Sequence, residues 1–138
     1  MSERMSLVVF SGTADKLIAA ATLATGGSMM GMEVELFLTF WGLEAFKKGT
    51  QQQPPRISAE YADYAPVMME LMQAKNVPHW LDTLHAAREI GTVKVYACSA
   101  TMELFGYTKD DLEDIVDEVT GVGTFVERAR EAKISMFI

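Results

Sequence analysis

One cysteine, Cys98, is the residue of this chain whose type and position point most directly to chemistry. It follows a stretch, 92–97, in which valines alternate with Lys94 and Tyr96, and it precedes a stretch, 99–105, with the composition of a short helix. A thiol at the start of a helix lies near unpaired N–H groups, which lower its pKa from about 8.5 and favour the nucleophilic thiolate. The alternative is a small, buried apolar side chain, which is how most free cysteines behave. The position of Cys98 leaves both interpretations open.

The residues around Cys98 exclude several known kinds of cysteine site. A lone cysteine forms no internal disulfide, no Cys-x-x-Cys redox pair and no cysteine metal framework. Leu104 stands where a tyrosine-phosphatase loop carries arginine. The spacing of His79 and His85 differs from the i, i+4 pattern that directs two metal ligands to one side of a helix. We therefore expect no metal site. Both histidines lie in the predicted helix before the strand that ends in Cys98, and that helix leads away from the carboxyl edge, so we expect neither histidine to act as general base for the thiol.

The elements that must position Cys98 follow from hydrophobic patterning. Apolar residues at 7–10 predict a strand buried on both faces, a helix rich in small residues follows over 13–31, and 33–39 predicts the second strand. Further predicted helices cover 67–74, 77 to the residue before Gly91, 99–105, 108–113 and 122–129, and further predicted strands cover 92–97, 115–119 and 134–138. This alternation predicts an α/β fold, a three-layer α/β/α sandwich with a parallel sheet of about five strands.

In such a sheet the carboxyl ends of the strands share one edge, where helix N-termini converge and sites form. The sequence shows three strand ends of this kind: Ser11-Gly12, Trp41-Gly42 and Cys98-Ser99. We therefore expect Ser11, Gly12 and Trp41 to lie near the thiol. Trp41 is either a pocket wall or a plug between layers, and its spacing is compatible with both.

Composition limits the classes of partner. The chain has 12 Lys+Arg against 19 Asp+Glu, for a formal net charge of -7, and no long run of basic residues. Nucleic acid is an unexpected partner, because binding its backbone needs a concentrated basic face. The short apolar run at the N-terminus and the charges that interrupt the apolar regions predict a cytoplasmic protein with no membrane span. The length predicts one domain, 1–138, with an excursion loop over 48–66 that carries polar residues and adjacent prolines.

The chain contains 10 methionines. Flexible thioether side chains fill gaps in cores, and they also form adaptable contact surfaces for a partner or for other copies of the same chain. The sequence leaves both roles open.

Three segments together resemble the DsrE/DsrF-like sulfur-transfer proteins, in the branch often labelled peroxiredoxin-like. They are Val-Val-Phe-Ser-Gly at 8–12, a stretch at 31–42 that ends in Thr-Phe-Trp-Gly, and a stretch at 91–99 that ends in Tyr-Ala-Cys-Ser. The glycines at 121 and 123 and the final apolar stretch, 134–138, also fit. The resemblance covers nearly the whole chain apart from 48–66.

The resemblance implies a sulfur carrier or sulfurtransferase that forms homo-oligomers and needs no cofactor. Cys98 would accept sulfane sulfur as a persulfide or thiosulfonate from donor proteins or small sulfur anions and pass it to a partner thiol. Ser99 and the N–H groups of Thr101 and Met102 would hold the anionic end of the adduct, and Ser11, Gly12 and Trp41 would form neighbouring walls. The alternative function is a non-catalytic, oligomeric binding subunit in which Cys98 is structural.

Overall fold

A computed structural model describes residues 3–138, which form a five-stranded parallel sheet with helices on both faces. The strands are β1 (Arg4–Val9), β2 (Glu33–Leu38), β3 (Val93–Cys98), β4 (Glu118–Thr120) and β5 (Ile134–Phe137), in the spatial order β4-β3-β2-β1-β5. The helices are α1 (Ala14–Met29), α2 (Trp41–Glu44), α3 (Ala65–Ala74), α4 (Trp80–Ile90), α5 (Ser99–Phe105) and α6 (Val122–Ala129). The predicted α/β class and the predicted parallel sheet are confirmed.

The main hydrophobic core lies between the sheet and the pair α1 and α4. Leu7, Leu36 and Val95 point into it from the three central strands, and Ala20 and Leu84 meet them from the helices. The alternation predicted for β2 and β3 is therefore observed, because side chains two residues apart in a strand share a face. The small residues of α1 allow that helix to approach the sheet closely.

The opposite face of the sheet has a smaller core beneath α6. It contains Phe37, Tyr96, Cys98 and Phe125, and Phe125 is the buried residue of α6. Cys98 therefore points away from the main core and towards α6. The face of the sheet that carries the thiol is covered by one short helix, whereas the other face is covered by two longer ones.

Helix α2 has no counterpart among the sequence predictions, and α4 begins at Trp80 rather than at residue 77. Two further elements differ. The fourth strand begins at Glu118, whereas Ile115 and Val116 are buried in the core before the strand starts. The helix predicted over 108–113 is reduced to one 3-10 turn, Lys109–Asp111, and the Thr108 N–H donates to the Asp111 carboxylate over 2.8 Å. The chain leaves this turn because Leu112 forms an antiparallel bridge with Lys47. Tertiary pairing thus overrides the local helical pattern.

The excursion over 48–66 contains two 3-10 helices, Thr50–Gln52 and Ala59–Tyr64, and leads directly into α3. It is attached to the start of α1, where the Ala14 N–H donates to the Arg56 carbonyl over 2.7 Å. The Ser58 hydroxyl donates to the Asp15 carboxylate over 2.6 Å. Burial raises the pKa of Asp15, and hydrogen bonds from Ser58, from the Thr13 hydroxyl and from the N–H of Asp15 lower it below its ordinary value. The middle of the excursion is therefore attached to the start of α1.

The methionines divide between the two roles that the sequence left open. Met5 and Met102 are buried, whereas Met30 on the end of α1 and Met68 and Met69 on α3 are exposed. None of the residues of α3 is buried. Among residues 3–138, none of the helices is long and apolar enough to cross a membrane.

Candidate functional site

Cys98 is the last residue of β3 and the N-cap residue of α5. Its side chain is 7% exposed and lies among the aromatic residues Phe37, Tyr96 and Phe125. The thiol is therefore at the strand end that the sequence predicts, but beneath α6 and largely shielded from solvent.

Polar groups of two adjoining chain segments surround the sulfur. Burial raises the pKa of Cys98, but hydrogen bonds from the N–H and hydroxyl of Thr101, the hydroxyl of Thr39 and the N–H of Ala100 lower it below its ordinary value. Each of these donors favours the anion, because a thiolate accepts hydrogen bonds more strongly than a thiol does. The arrangement supports a nucleophilic sulfur in an otherwise apolar setting.

The residue after Thr39 has an unusual backbone conformation. Phe40 has φ 49° and ψ -118°, a left-handed conformation that is uncommon for a residue with a side chain and costs about 1–3 kcal/mol. In this conformation the Phe40 N–H donates to the Thr101 hydroxyl oxygen over 3.2 Å. The turn after β2 is thus tied directly to the residue that contacts Cys98.

Aromatic side chains surround this turn. The Phe40 ring lies 5.5 Å from that of Phe10 and 6.3 Å from that of Phe105, and Trp41 stacks on Phe105 at 6.0 Å. Trp41 is 55% exposed. The carboxyl edge of the sheet therefore presents a partly exposed aromatic surface next to the polar groups around Cys98.

A carboxylate, Glu35, lies on the same face of the sheet and fixes the helix that covers Cys98. It is 2% exposed, and the guanidinium of Arg128 on α6 donates to it, with Nε at 2.9 Å. Arg4 adds a second ion pair to Glu35 at 3.3 Å and donates to the Arg128 carbonyl over 3.0 Å. The hydrogen bond to Glu35 raises the pKa of Arg128 above its ordinary value. The C-terminal part of α6 is thereby anchored to β1 and β2.

A family model described as DsrE/DsrF/DrsH-like matches residues 1–63 and 56–137, which together span nearly the whole chain. The chain belongs to the DsrE/DsrF/DrsH-like family. The resemblance inferred from the sequence segments is therefore confirmed.

Two curated proteins are similar to this chain along almost their full length. Uncharacterized protein YrkE of Bacillus subtilis (strain 168) is 32% identical, over 99% of this chain and 98% of that protein. Sulfur carrier protein DsrE2 of Allochromatium vinosum is 25% identical, over 99% of this chain and 98% of that protein. Among solved structures, the protein of unknown function MTH1491 from Methanobacterium thermoautotrophicum has a TM-score of 0.60 at 16% identity, covering 99% of this chain and 100% of that chain. That likeness shows the fold.

Within this DsrE/DsrF/DrsH-like fold, the residues predicted for the site fall into two groups. Ser11, Gly12 and Trp41 line a cavity of about 1240 Å³ between the excursion and the starts of α1 and α4. None of Cys98, Ser99, Thr101 and Met102 is among the described residues that line it. Trp41 contacts both regions, because it lines the cavity and also stacks on Phe105 of α5. The predicted walls therefore surround a space on the α1 and α4 side, whereas the thiol faces α6.

The predicted residues of α5 also separate. Thr101 is 1% exposed, and its N–H and hydroxyl groups are among the donors that lower the pKa of Cys98. Ser99 lies at the surface, and Met102 is 5% exposed with its side chain in the main core. Of the residues predicted on α5, Thr101 is the one that the structure places at the thiol.

Sequence reasoning missed Thr39 and Phe125 as neighbours of the thiol. For Thr39 a signal existed, because it is the last residue of the predicted strand 33–39 and Cys98 directly follows the predicted strand 92–97, so both were expected at the carboxyl edge. The register, in which Leu38 pairs with Ala97, places the two residues opposite each other. Phe125 gave no such signal, because its approach to β3 depends on the side of the sheet on which α6 crosses. Both histidines are exposed, and His79 caps α4 and lines the cavity. Among residues 3–138, no cluster of His, Cys, Asp and Glu side chains has the arrangement of a metal site.

Proposed function

We propose that this protein carries sulfane sulfur on Cys98 and passes it to the thiol of a partner. The observation that supports this most is the set of donors around a buried sulfur, which come from Thr101, Thr39 and Ala100 and favour the thiolate. Membership of the DsrE/DsrF/DrsH-like family supports a role in sulfur relay, as does the likeness to a relative named as a sulfur carrier.

The transfer is a pair of thiol exchanges that need no external oxidant. The Cys98 thiolate attacks the outer sulfur of a donor persulfide, the donor S–S bond breaks, and the donor leaves as a thiolate. Cys98 then holds the outer sulfur as its own persulfide. The thiolate of an acceptor attacks that outer sulfur and releases Cys98 as a thiolate. With tetrathionate as donor, attack on a central sulfur releases thiosulfate and leaves a cysteine-bound thiosulfonate.

The number of cysteines limits where the carried sulfur can go. The chain has one cysteine, so it lacks a second thiol to resolve an adduct within the same molecule. The carried sulfur must therefore leave to another molecule. This favours a carrier between a donor and an acceptor, which we expect to be proteins or small sulfur anions.

Intact mass spectrometry tests the proposal. Reduced protein is incubated separately with polysulfide, thiosulfate and tetrathionate, and each sample is weighed beside a Cys98→Ser variant. We expect the parent protein to gain the mass of sulfur or thiosulfonate and the variant to gain none, with the gain reversed by a thiol reductant. Absence of any adduct on the parent, or equal gain on the variant, would refute carriage on Cys98.

A second candidate function is an oligomeric binding subunit in which Cys98 is structural, and the surface of α3 favours it. Val67, Met68, Met69 and Leu71 are 44–55% exposed on a helix that buries none of its residues within the chain. Exposed apolar side chains concentrated on one helix are typical of an interface, and we propose that a second copy covers them.

Two measurements separate the candidates. The pH dependence of Cys98 alkylation tests the thiol, because a structural cysteine reacts slowly at all pH values near neutral whereas a carrier reacts as a thiolate. Sedimentation of the parent and of Leu71→Glu tests self-association, and we expect the variant to lose the oligomer. Glu70→Gln, which changes a neighbouring polar residue on α3, is the control. A monomeric parent protein would contradict the second copy.

A further inference from the structure

Among the donors named above, Thr39 comes from the segment that follows β2, whereas Ala100 and Thr101 belong to α5. The hydroxyl oxygen of Thr39 lies 3.1 Å from the hydroxyl oxygen of Thr101. Thr101 itself is 1% exposed, so this contact lies at the buried end of the site. Leu38 pairs with Ala97, so Thr39 stands opposite Cys98 on the neighbouring strand. Both hydroxyl groups therefore lie close to Cys98, at the junction between the end of β2 and α5.

The hydrogen atoms available at this junction can be counted. A hydroxyl group has one proton and accepts through two lone pairs, whereas a thiolate only accepts. The Thr101 oxygen already accepts from the Phe40 N–H over 3.2 Å. The proton of Thr101 is therefore free to point to either Thr39 or the sulfur, and the same choice is open to the proton of Thr39.

The choice depends on the charge of Cys98. When Cys98 is a thiol, a hydroxyl proton lies between the two oxygens, since oxygen accepts better than a neutral sulfur does. When Cys98 is a thiolate, both protons turn to the sulfur, because hydrogen bonds to an ionised acceptor are the stronger ones. Both hydroxyls contribute to the lowered pKa of Cys98, which agrees with this arrangement.

We propose that Thr39 is a positioning residue that, together with Thr101, holds the anionic sulfur of Cys98. This inference rests on the proposed function, and it extends to the carried state, in which the two hydroxyls hold the charged outer sulfur of the persulfide. Thr39 reaches the sulfur from β2, whereas Thr101 reaches it from α5. The anion is thus held by two separate segments of the chain, with the Phe40 turn between them.

The pH profile of Cys98 alkylation by iodoacetamide tests this role. Thr39→Val removes the hydroxyl with little change in shape, and we expect the midpoint to rise by about one pH unit, the amount that loss of one hydrogen bond to a charged group implies. Thr39→Ser retains the hydroxyl and should restore the parent midpoint. Thr25→Val is the matched control, because the Thr25 hydroxyl donates to Ala21 within α1, away from the sulfur. An unchanged midpoint in Thr39→Val would overturn the proposal.

Folding is checked by circular dichroism, and Thr39→Ala replaces Thr39→Val if the valine is not accommodated. Loading with polysulfide, followed by intact mass, separates this inference from the proposed function. If all variants load on Cys98 and the midpoint stays unchanged, the role of Thr39 is wrong and the carrier function stands. If the midpoint rises but even the parent protein takes up no sulfur, the carrier function is wrong and the contact between Thr39 and the thiolate stands.

The lifetime of the loaded form supplies a second readout. With the outer sulfur held by one hydroxyl, the persulfide of Thr39→Val should lose its sulfur to a small thiol several times faster than that of the parent. Equal lifetimes in the two proteins would refute the part of the proposal that concerns the carried sulfur.

Discussion

Phe125 of α6 stacks on Phe37 of β2, with ring centroids 4.5 Å apart and planes inclined by 13°. Both rings belong to the small core that contains Cys98. The stacked pair therefore connects the stability of α6 with the accessibility of the thiol, because any reagent must reach an atom of a residue that is 7% exposed.

Removing the ring of Phe125 should expose the thiol. We expect Phe125→Ala to react with iodoacetamide about tenfold faster than the parent, because α6 should detach locally from the sheet more often. The unfolding free energy should fall by about 3–5 kcal/mol, as is usual for loss of a buried aromatic ring. Val126→Ala, at an exposed position on the same helix, should leave both quantities near the parent values. Equal alkylation rates in the parent and Phe125→Ala would show that reagents reach Cys98 by another route.

The ion pair between Glu35 and Arg128, near the C-terminus of α6, should also hold this helix over Cys98. Glu35→Gln leaves Arg128 without its charged partner, and we expect the unfolding free energy to fall by about 2–4 kcal/mol, because breaking a buried pair leaves a charge uncompensated. The estimate is below that for a fully buried pair, since the Arg128 side chain is 41% exposed. Denaturation by urea measures the change.

The control for that variant is a surface ion pair in the same part of the chain. Glu127 and Arg130 lie 3.6 Å apart with side chains that are 68% and 67% exposed. Glu127→Gln should change the unfolding free energy by less than about 0.5 kcal/mol, because solvent screens the pair. If the two variants were equally stable, Glu35 would have no special role in holding α6.

The lowered pKa of Cys98 predicts how stability depends on pH. Burial raises the pKa and the surrounding donors lower it by more, so the folded protein releases this proton at a lower pH than the unfolded chain does. The contribution of the thiolate to stability is therefore fully present above the unfolded pKa of about 8.5, and it is lost as pH falls through the folded pKa.

Comparison with Cys98→Ser isolates this contribution. The difference in unfolding free energy between the parent and the variant should shift in favour of the parent as pH rises from about 6 to about 9. Urea denaturation at a series of pH values gives the curve. A difference that is constant across this range would mean that the thiol has the same pKa in the folded and unfolded states.

Alanine substitutions at Gly42 on α2 and at Gly123 on α6 should change the unfolding free energy in opposite directions. A Cβ atom at Gly42 would overlap the carbonyl of Val9, whereas a Cβ at Gly123 meets nothing within 4 Å. Gly42→Ala should lower the unfolding free energy by at least about 2 kcal/mol, because backbone must move to admit the methyl group. Gly123→Ala should raise it by about 0.5–1 kcal/mol, since alanine is the better helix former. Thermal unfolding of both variants checks the signs, and a stable Gly42→Ala would contradict the close approach of α2 to β1.

The sequence by itself determined much of the framework. The short apolar runs of β1 and β2 and the alternation around Val95 specified strands, since the period of side chains along a strand is fixed by its backbone. The helices between them required parallel pairing, so the position of Cys98 at the carboxyl edge followed as well. The lone cysteine already required that any sulfur it accepts leave to another molecule.

Only the tertiary structure decided what surrounds the thiol. Alternation along β3 distinguishes two faces, but it does not specify that α6 covers the face with Cys98 while α1 and α4 cover the other. For that reason Ser11, Gly12 and Trp41, which share an edge with Cys98, line a cavity on the opposite side. Contacts between distant segments, such as that of Thr39 with Thr101, arise from register and from the strained turn at Phe40. Local patterns in the sequence do not encode those distances, because they depend on how whole elements pack.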